Sequence, residues 1–303
     1  MSDQDSATIG AAVAAPPRRR TTGTVLAAAG VVAFSLSFPA TVAALDGFGP
    51  WTTTGLRGVL AAAIAGIALL AARPPLPRRT DWPALGVVAV GCALGFSLFT
   101  TLALETASTA HSAVVIGTLP LATAALSAVR TGRRPSPTFW AAAITGAAVV
   151  VVFTLSQSHG RPTAADLLLV AAVGVCAAGY AEGGRLAAHL PGWQVIAWGV
   201  LLAAPINLLI AVLALRIEPV TLTVTAVVGM AYLAAVSQFG GFVVWYRGMA
   251  LIGVDRASQL QLAQPLLTVL WAVVLMGEQL PAAVPVAAVA VLGCIVVTQR
   301  AAR

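Results

Sequence analysis

Apolar runs of roughly twenty residues, the length a helix needs to cross a bilayer, recur along almost the whole chain. They fall near residues 23–45, 50–72, 83–104, 109–129, 139–155, 166–187, 193–215, 222–246, 257–276 and 281–297. A membrane strand would alternate polar and apolar residues over about ten positions. These runs are apolar on every face, so the expected fold is an all-α membrane protein of about ten transmembrane helices. Of 303 residues, 59% are hydrophobic and 9% charged, too little polar surface to dissolve a chain of mean hydropathy +0.93. The lipid bilayer is therefore its expected solvent.

A net charge of +7 in a soluble protein would point to polyanions, but here every Lys/Arg position is Arg, and most sit in short segments between apolar runs. Topology accounts for them without a nucleic-acid partner. Arg18, Arg19 and Arg20 precede the first span, Arg73, Arg78 and Arg79 follow the second, and Arg130, Arg133 and Arg134 follow the fourth. The connections between carry Asp46 or Glu105 and no Arg. The positive-inside rule then puts both termini in the cytoplasm of a multi-pass cell-membrane protein, with residues 1–20 a disordered cytoplasmic tail. The first apolar run is longer than the 7–15 residues of a signal-peptide core, so cleavage is not expected. Cys92, Cys176 and Cys294 each lie inside an apolar run, a placement that suggests neither disulfides nor a metal site.

An offset of 145 residues pairs Pro120 with Pro265, Leu121 with Leu266 and Thr123 with Thr268. The two prolines fall in the fourth and ninth spans, which cross in opposite directions if each half holds five helices. Two inverted five-helix repeats, residues 21–155 and 166–299, are therefore expected. Proline removes the helical donor of the carbonyl four residues earlier, here Ile116 and Gln261, and bends its helix. Ser258, Gln261, Pro265 and Thr268 share one helical face, and Ser112, Pro120, Thr123 and Ser127 do much the same in the other half. Two polar, kinked faces meeting at a central cavity are the expectation.

Gln238, Gln261 and Gln264 must find partners inside the bundle, either as interhelical hydrogen bonds or as groups that hold a polar metabolite. With Ser258 and Thr123 they form the candidate substrate pathway, to which Tyr180 and Trp198 could add walls or gates, core packing being the alternative. Arg57, several residues into the second span, can snorkel, pair with Glu105 or attract an anion. Glu105, His111, Glu182 and Arg247 are the remaining candidates for gating or proton coupling, with interfacial anchoring as the plain alternative. No Walker glycine loop, HExxH pair, paired membrane aspartates or Gly-x-Ser-Gly turn occurs, so neither an enzyme nor a cofactor or metal is expected.

Trp245-Tyr246-Arg247-Gly248-Met249-Ala250, Ala257-Ser258, Gln264-Pro265-Leu266 and Gly277-Glu278 resemble the closing repeat of EamA-type transporters, of the drug/metabolite transporter superfamily. The first half is similar in Arg57, Ala103-Leu104, Thr106-Ala107 and Leu119-Pro120-Leu121. It departs where Val129-Arg130-Thr131-Gly132 stands in place of a closing Gly-Glu, and where Ser35-Leu36-Ser37-Phe38-Pro39 stands in place of a Trp-Gly pair. The resemblance implies ten helices in two inverted repeats, cytoplasmic termini and transport, often outward, of small metabolites such as amino acids or related compounds. Solute exchange, a channel, and a non-transporting scaffold or sensor are the alternatives, and a homodimer is a possible assembly.

Overall fold

The computed structural model describes residues 17–132, 136–157, 161–252 and 260–301. Every regular element among them is helical; one isolated antiparallel bridge, Phe48 to Val220, ties two loops together. Eight helices are long and apolar enough to cross a membrane: α1 (Thr21–Leu45), α2 (Pro50–Ala72), α3 (Arg79–Ala103), α4 (Thr109–Arg130), α5 (Pro137–Gln157), α6 (Ala164–Leu186), α7 (Gly192–Ile217) and α8 (Val224–Ile252). Two shorter apolar helices follow, α9 (Ala263–Met276) and α10 (Ala283–Val297). The ends carry local signals. Pro50 sits in the first turn of α2, the Ser108 hydroxyl accepts from His111 N–H at the start of α4, and Thr163 and Asp166 form a capping box on α6. Gly132 (φ 66°) and Gly277 (φ 67°) end α4 and α9 in the left-handed conformation that glycine adopts most cheaply.

The outer surface is as apolar as the inside. Leu70 is 76% exposed, Ile144 65% and Val286 69%, and a belt of such residues in water would be a large unfavourable area. A bilayer removes that cost, so the chain is a multi-pass membrane protein.

Close packing fixes the arrangement. Helices α2 and α7 lie along one another, as do α1 and α8, α3 and α6, α4 and α9, and α5 and α10. In addition α4 touches α6 as α9 touches α1, and α3 touches α7 as α8 touches α2. Exchanging each helix with the one five places away leaves this set unchanged. Small residues allow the approach: a Cβ on Gly55 of α2 would run into the backbone of Ala211 in α7, and one on Gly248 of α8 into the backbone of Ala27 in α1.

Four of the membrane helices are not regular, the first of them α1, which is broken at Leu36. A π-helical turn occupies Ala89–Gly95 in α3 and another Leu233–Gly240 in α8; the 145-residue offset carries one onto the other almost end to end. Such turns insert a residue and often sit at functional sites. In α4, regular helix stops at Ile116 and resumes at Leu119. This corrects the expectation of a continuous helix bent at Pro120: the ladder breaks just before the ring, whose clash with the preceding turn is thereby avoided. Helix α8 continues to Ile252 instead of ending at Tyr246, because the exposed Arg247 at its end can reach the interface without ending the helix.

Candidate substrate cavity

The helix breaks surround an enclosed cavity of about 330 Å³ in the middle of the bundle. Among the sequence-predicted residues, it brings together Arg57, Pro120, Thr123, Tyr180, Gln238, Gln261, Gln264 and Pro265. Ile116 and Gln261, whose carbonyls lose their helical donor to these prolines, line it as well. Phe34, Phe38, Phe96 and Phe242 provide most of the bulk of the apolar wall, and Cys92 and Cys176 face it.

The polar groups are held from several helices. Gln238 donates from Nε2 to the Ala93 carbonyl at 3.0 Å and accepts at Oε1 from Ser97 Oγ at 3.1 Å. Ala93 is the residue that the 145-residue offset pairs with Gln238, so this amide joins the two π-helical turns. Arg57 is 4% exposed, and its Nη2 donates to Ser237 Oγ at 3.3 Å; that hydroxyl lies 2.7 Å from Ser37 Oγ. The expected contact with Glu105 is not made. Arg57 reaches inward and Glu105 lies in a vestibule of about 1070 Å³ at the arginine-poor end, alongside Asp46. There its carboxyl is pushed above the ordinary value, first by burial and then by Glu218.

Pro39 shows how a lost donor is replaced. It cannot supply an N–H to the Ser35 carbonyl, and Thr268 Oγ1 donates to that carbonyl across the α1–α9 contact at 3.0 Å. Trp271 Nε1 donates to Ser35 Oγ at 2.9 Å, so the first helix is pinned to the ninth at its own break. Thr123 Oγ1, the counterpart of Thr268, is buried without a partner among the described residues.

Other candidates lie elsewhere. Trp198 does not line the cavity; it packs edge-on against Trp82, ring centroids 5.9 Å apart, because α7 turns that face toward α3. His111 bonds Asp166 at 2.7 Å and stacks on Phe153, tying α4 to α6. Glu182 is 2% exposed, between Arg130 of α4 and Arg185, whose Nε stands 3.0 Å from it. This cluster joins α4 and α6 at the arginine-rich end. Arg247 is exposed, and Ser258 lies outside the described residues.

Sequence reasoning missed Ser37, Ser97 and Ser237, since single serines are too common in membrane helices to stand out. It also missed Asn207, fully buried, with both amide atoms unpartnered among the described residues and lodged beside Gly58, though a mid-span Asn two residues after Pro205 was a readable signal. Two carboxylates act as helix caps instead of proton sites. Glu218 accepts from Trp51 N–H and Thr52 N–H at the start of α2, at 3.2 and 2.7 Å. Glu278 accepts from Thr109 N–H and Ala110 N–H at the start of α4, at 2.7 and 3.0 Å.

Membrane-spanning helices around a central, partly polar cavity define a multi-pass membrane transporter, and the chain belongs to the EamA-like transporter family, whose model matches residues 21–155 and again 163–299. It is 38% identical over 285 residues to a protein of Bacillus subtilis (strain 168) called "Uncharacterized transporter YdeK", covering 94% of this chain and 99% of that one. A solved structure titled "Crystal structure of protein" superposes with a TM-score of 0.64 at 25% identity, covering 92% of this chain and 98% of that chain.

Proposed function

We propose that the protein is a secondary transporter that exports a small metabolite, an amino acid or related compound, across the cell membrane by alternating access. In this reading ten helices cross the bilayer as two inverted five-helix repeats, residues 21–155 and 166–299, and both termini lie in the cytoplasm. The observation that carries it is the position of the cavity: equivalent prolines and equivalent π-helical turns from both halves converge on it. Broken helices whose freed carbonyls face a midplane site are how carriers expose backbone to a solute without exposing it to lipid.

The gates follow from the same geometry. Glu182 with Arg130 and Arg185 closes the arginine-rich end, and the vestibule that holds Glu105 is the route to the other side. Glu182, held between two guanidiniums, serves as a latch between α4 and α6. Gln238 sets the spacing of the π-helical turns, while Gln261, Gln264 and Thr123 contact the solute; Ser258 joins them from its place on the same sequence face.

The test is the extracellular metabolite profile of cells overproducing the protein, against cells making Gln261→Ala/Pro265→Ala at equal membrane abundance. A compound enriched outside only with the intact protein supports export. Matching profiles would count against it.

A further inference from the structure

Arg57 is a buried charge with no counter-charge among the described residues. Its guanidinium is 4% exposed, has five donors, and stays protonated in any protein environment. Among the described residues one hydrogen bond is made, to Ser237, and Nε is buried without a partner. Among the described residues no acidic side chain stands within ion-pair distance of it, and the described lining of the cavity contains no Asp or Glu. Leaving a cation unpaired at membrane depth costs several kcal/mol, which chains avoid unless the group has a task.

The rest of the wall is largely aromatic and aliphatic, with Gln261, Gln264 and Thr123 as neutral polar groups. A solute matching these surroundings has one negative end and an apolar body. A positive charge on it would find no carboxylate in the described lining, so of the amino acids and related compounds proposed above, the cavity favours the related acids that carry no ammonium.

Resting on the transporter reading, we infer that the cavity takes a small organic monoanion, a carboxylate with an apolar body, whose charged end sits against the Arg57 guanidinium. Arg57 thereby selects anions over neutral isosteres of the same shape. Loading supplies the counter-charge that the empty cavity lacks, so the occupied cavity is the electrically balanced one.

Cys92 lines the same cavity, and Cys294 does not. This gives a test that needs no knowledge of the natural solute and no transport. The full-length protein in lipid nanodiscs is alkylated with iodoacetate or with its neutral isostere iodoacetamide, and the rate at Cys92 is read by mass spectrometry. Any effect of Arg57 on the reactivity of the thiol itself changes both rates equally, so their ratio isolates attraction of the carboxylate.

A guanidinium facing the same cavity is expected to raise the iodoacetate/iodoacetamide ratio at Cys92 roughly tenfold or more over that of Arg57→Gln, the order that an effective dielectric of about 20 gives for opposite charges within one cavity. Arg57→Lys, which keeps the charge, retains most of the rise, and 3-phenylpropanoate slows alkylation of Cys92 more than 3-phenylpropanamide does. The same ratio in the intact protein and in Arg57→Gln would overturn the inference, as would a Cys92 that iodoacetate never reaches. A high ratio in a protein that exports nothing would leave this site standing and remove the transport reading; measured export with no charge preference would do the reverse.

Discussion

At the residue scale, Gln238 shows the difference between a polar residue that builds the site and one that lines it. Both ends of its amide are used, on Ala93 and Ser97, so what it has left for a solute is one N–H and one lone pair on a side chain already fixed in place. Gln238→Leu strands a carbonyl and a hydroxyl in an apolar interior, each costing about 1–3 kcal/mol when unpartnered. A lower thermal unfolding midpoint of the purified protein is expected, with transport reduced in step. Which glutamine was which could not be read from the sequence: all three amides had to be buried somewhere, and only the fold decides which finds a protein partner. Arg57 was legible as unusual because a charge within a span always is. Trp198 takes the plainer of its two readings, core packing, and an aromatic in a span carries no sign in advance of the side it faces.

At the element scale, the ten apolar segments were readable because hydrocarbon imposes both length and composition on a span. Their internal breaks were not. The π-helical turns at Ala89–Gly95 and Leu233–Gly240 are sustained in part by a contact between helices far apart in the chain, and no local pattern encodes that. The break before Pro120 was half readable, with the proline visible and the exact stop set by packing. Gly132 and Gly277, 145 residues apart, end their helices with positive φ and have open space where a Cβ would go. Gly132→Ala and Gly277→Ala should therefore each cost about 1 kcal/mol, the backbone penalty alone. Gly55→Leu must push α2 away from α7 and should cost far more. Thermal denaturation of the three purified variants checks the order, and a Gly277→Ala loss as large as that of Gly55→Leu would contradict it.

At the scale of the whole molecule, the packing is organised by exchange: most of the main helix–helix contacts have a counterpart five helices along, and the cavity lies where the two sets meet. The 145-residue offset made this partly visible in advance, through three matched positions. Glu182 was readable as a gating candidate, but its pairing with Arg130 was not, because the two meet only once α4 and α6 are folded together. Around the perimeter, exposed residues such as Ile144 have lipid as their only partner. Ile144→Arg should reduce membrane insertion of α5 by about 2.5–3.5 kcal/mol, read as a lower inserted fraction in a translocation assay.

Alternating access requires that one cavity open to each side in turn. Cys92 reports on it directly: in right-side-out and inside-out vesicles, a membrane-impermeant maleimide should label it from either face, with Glu182→Gln accelerating labelling from the arginine-rich side. Labelling from one face only, unchanged by Glu182→Gln, would contradict alternating access.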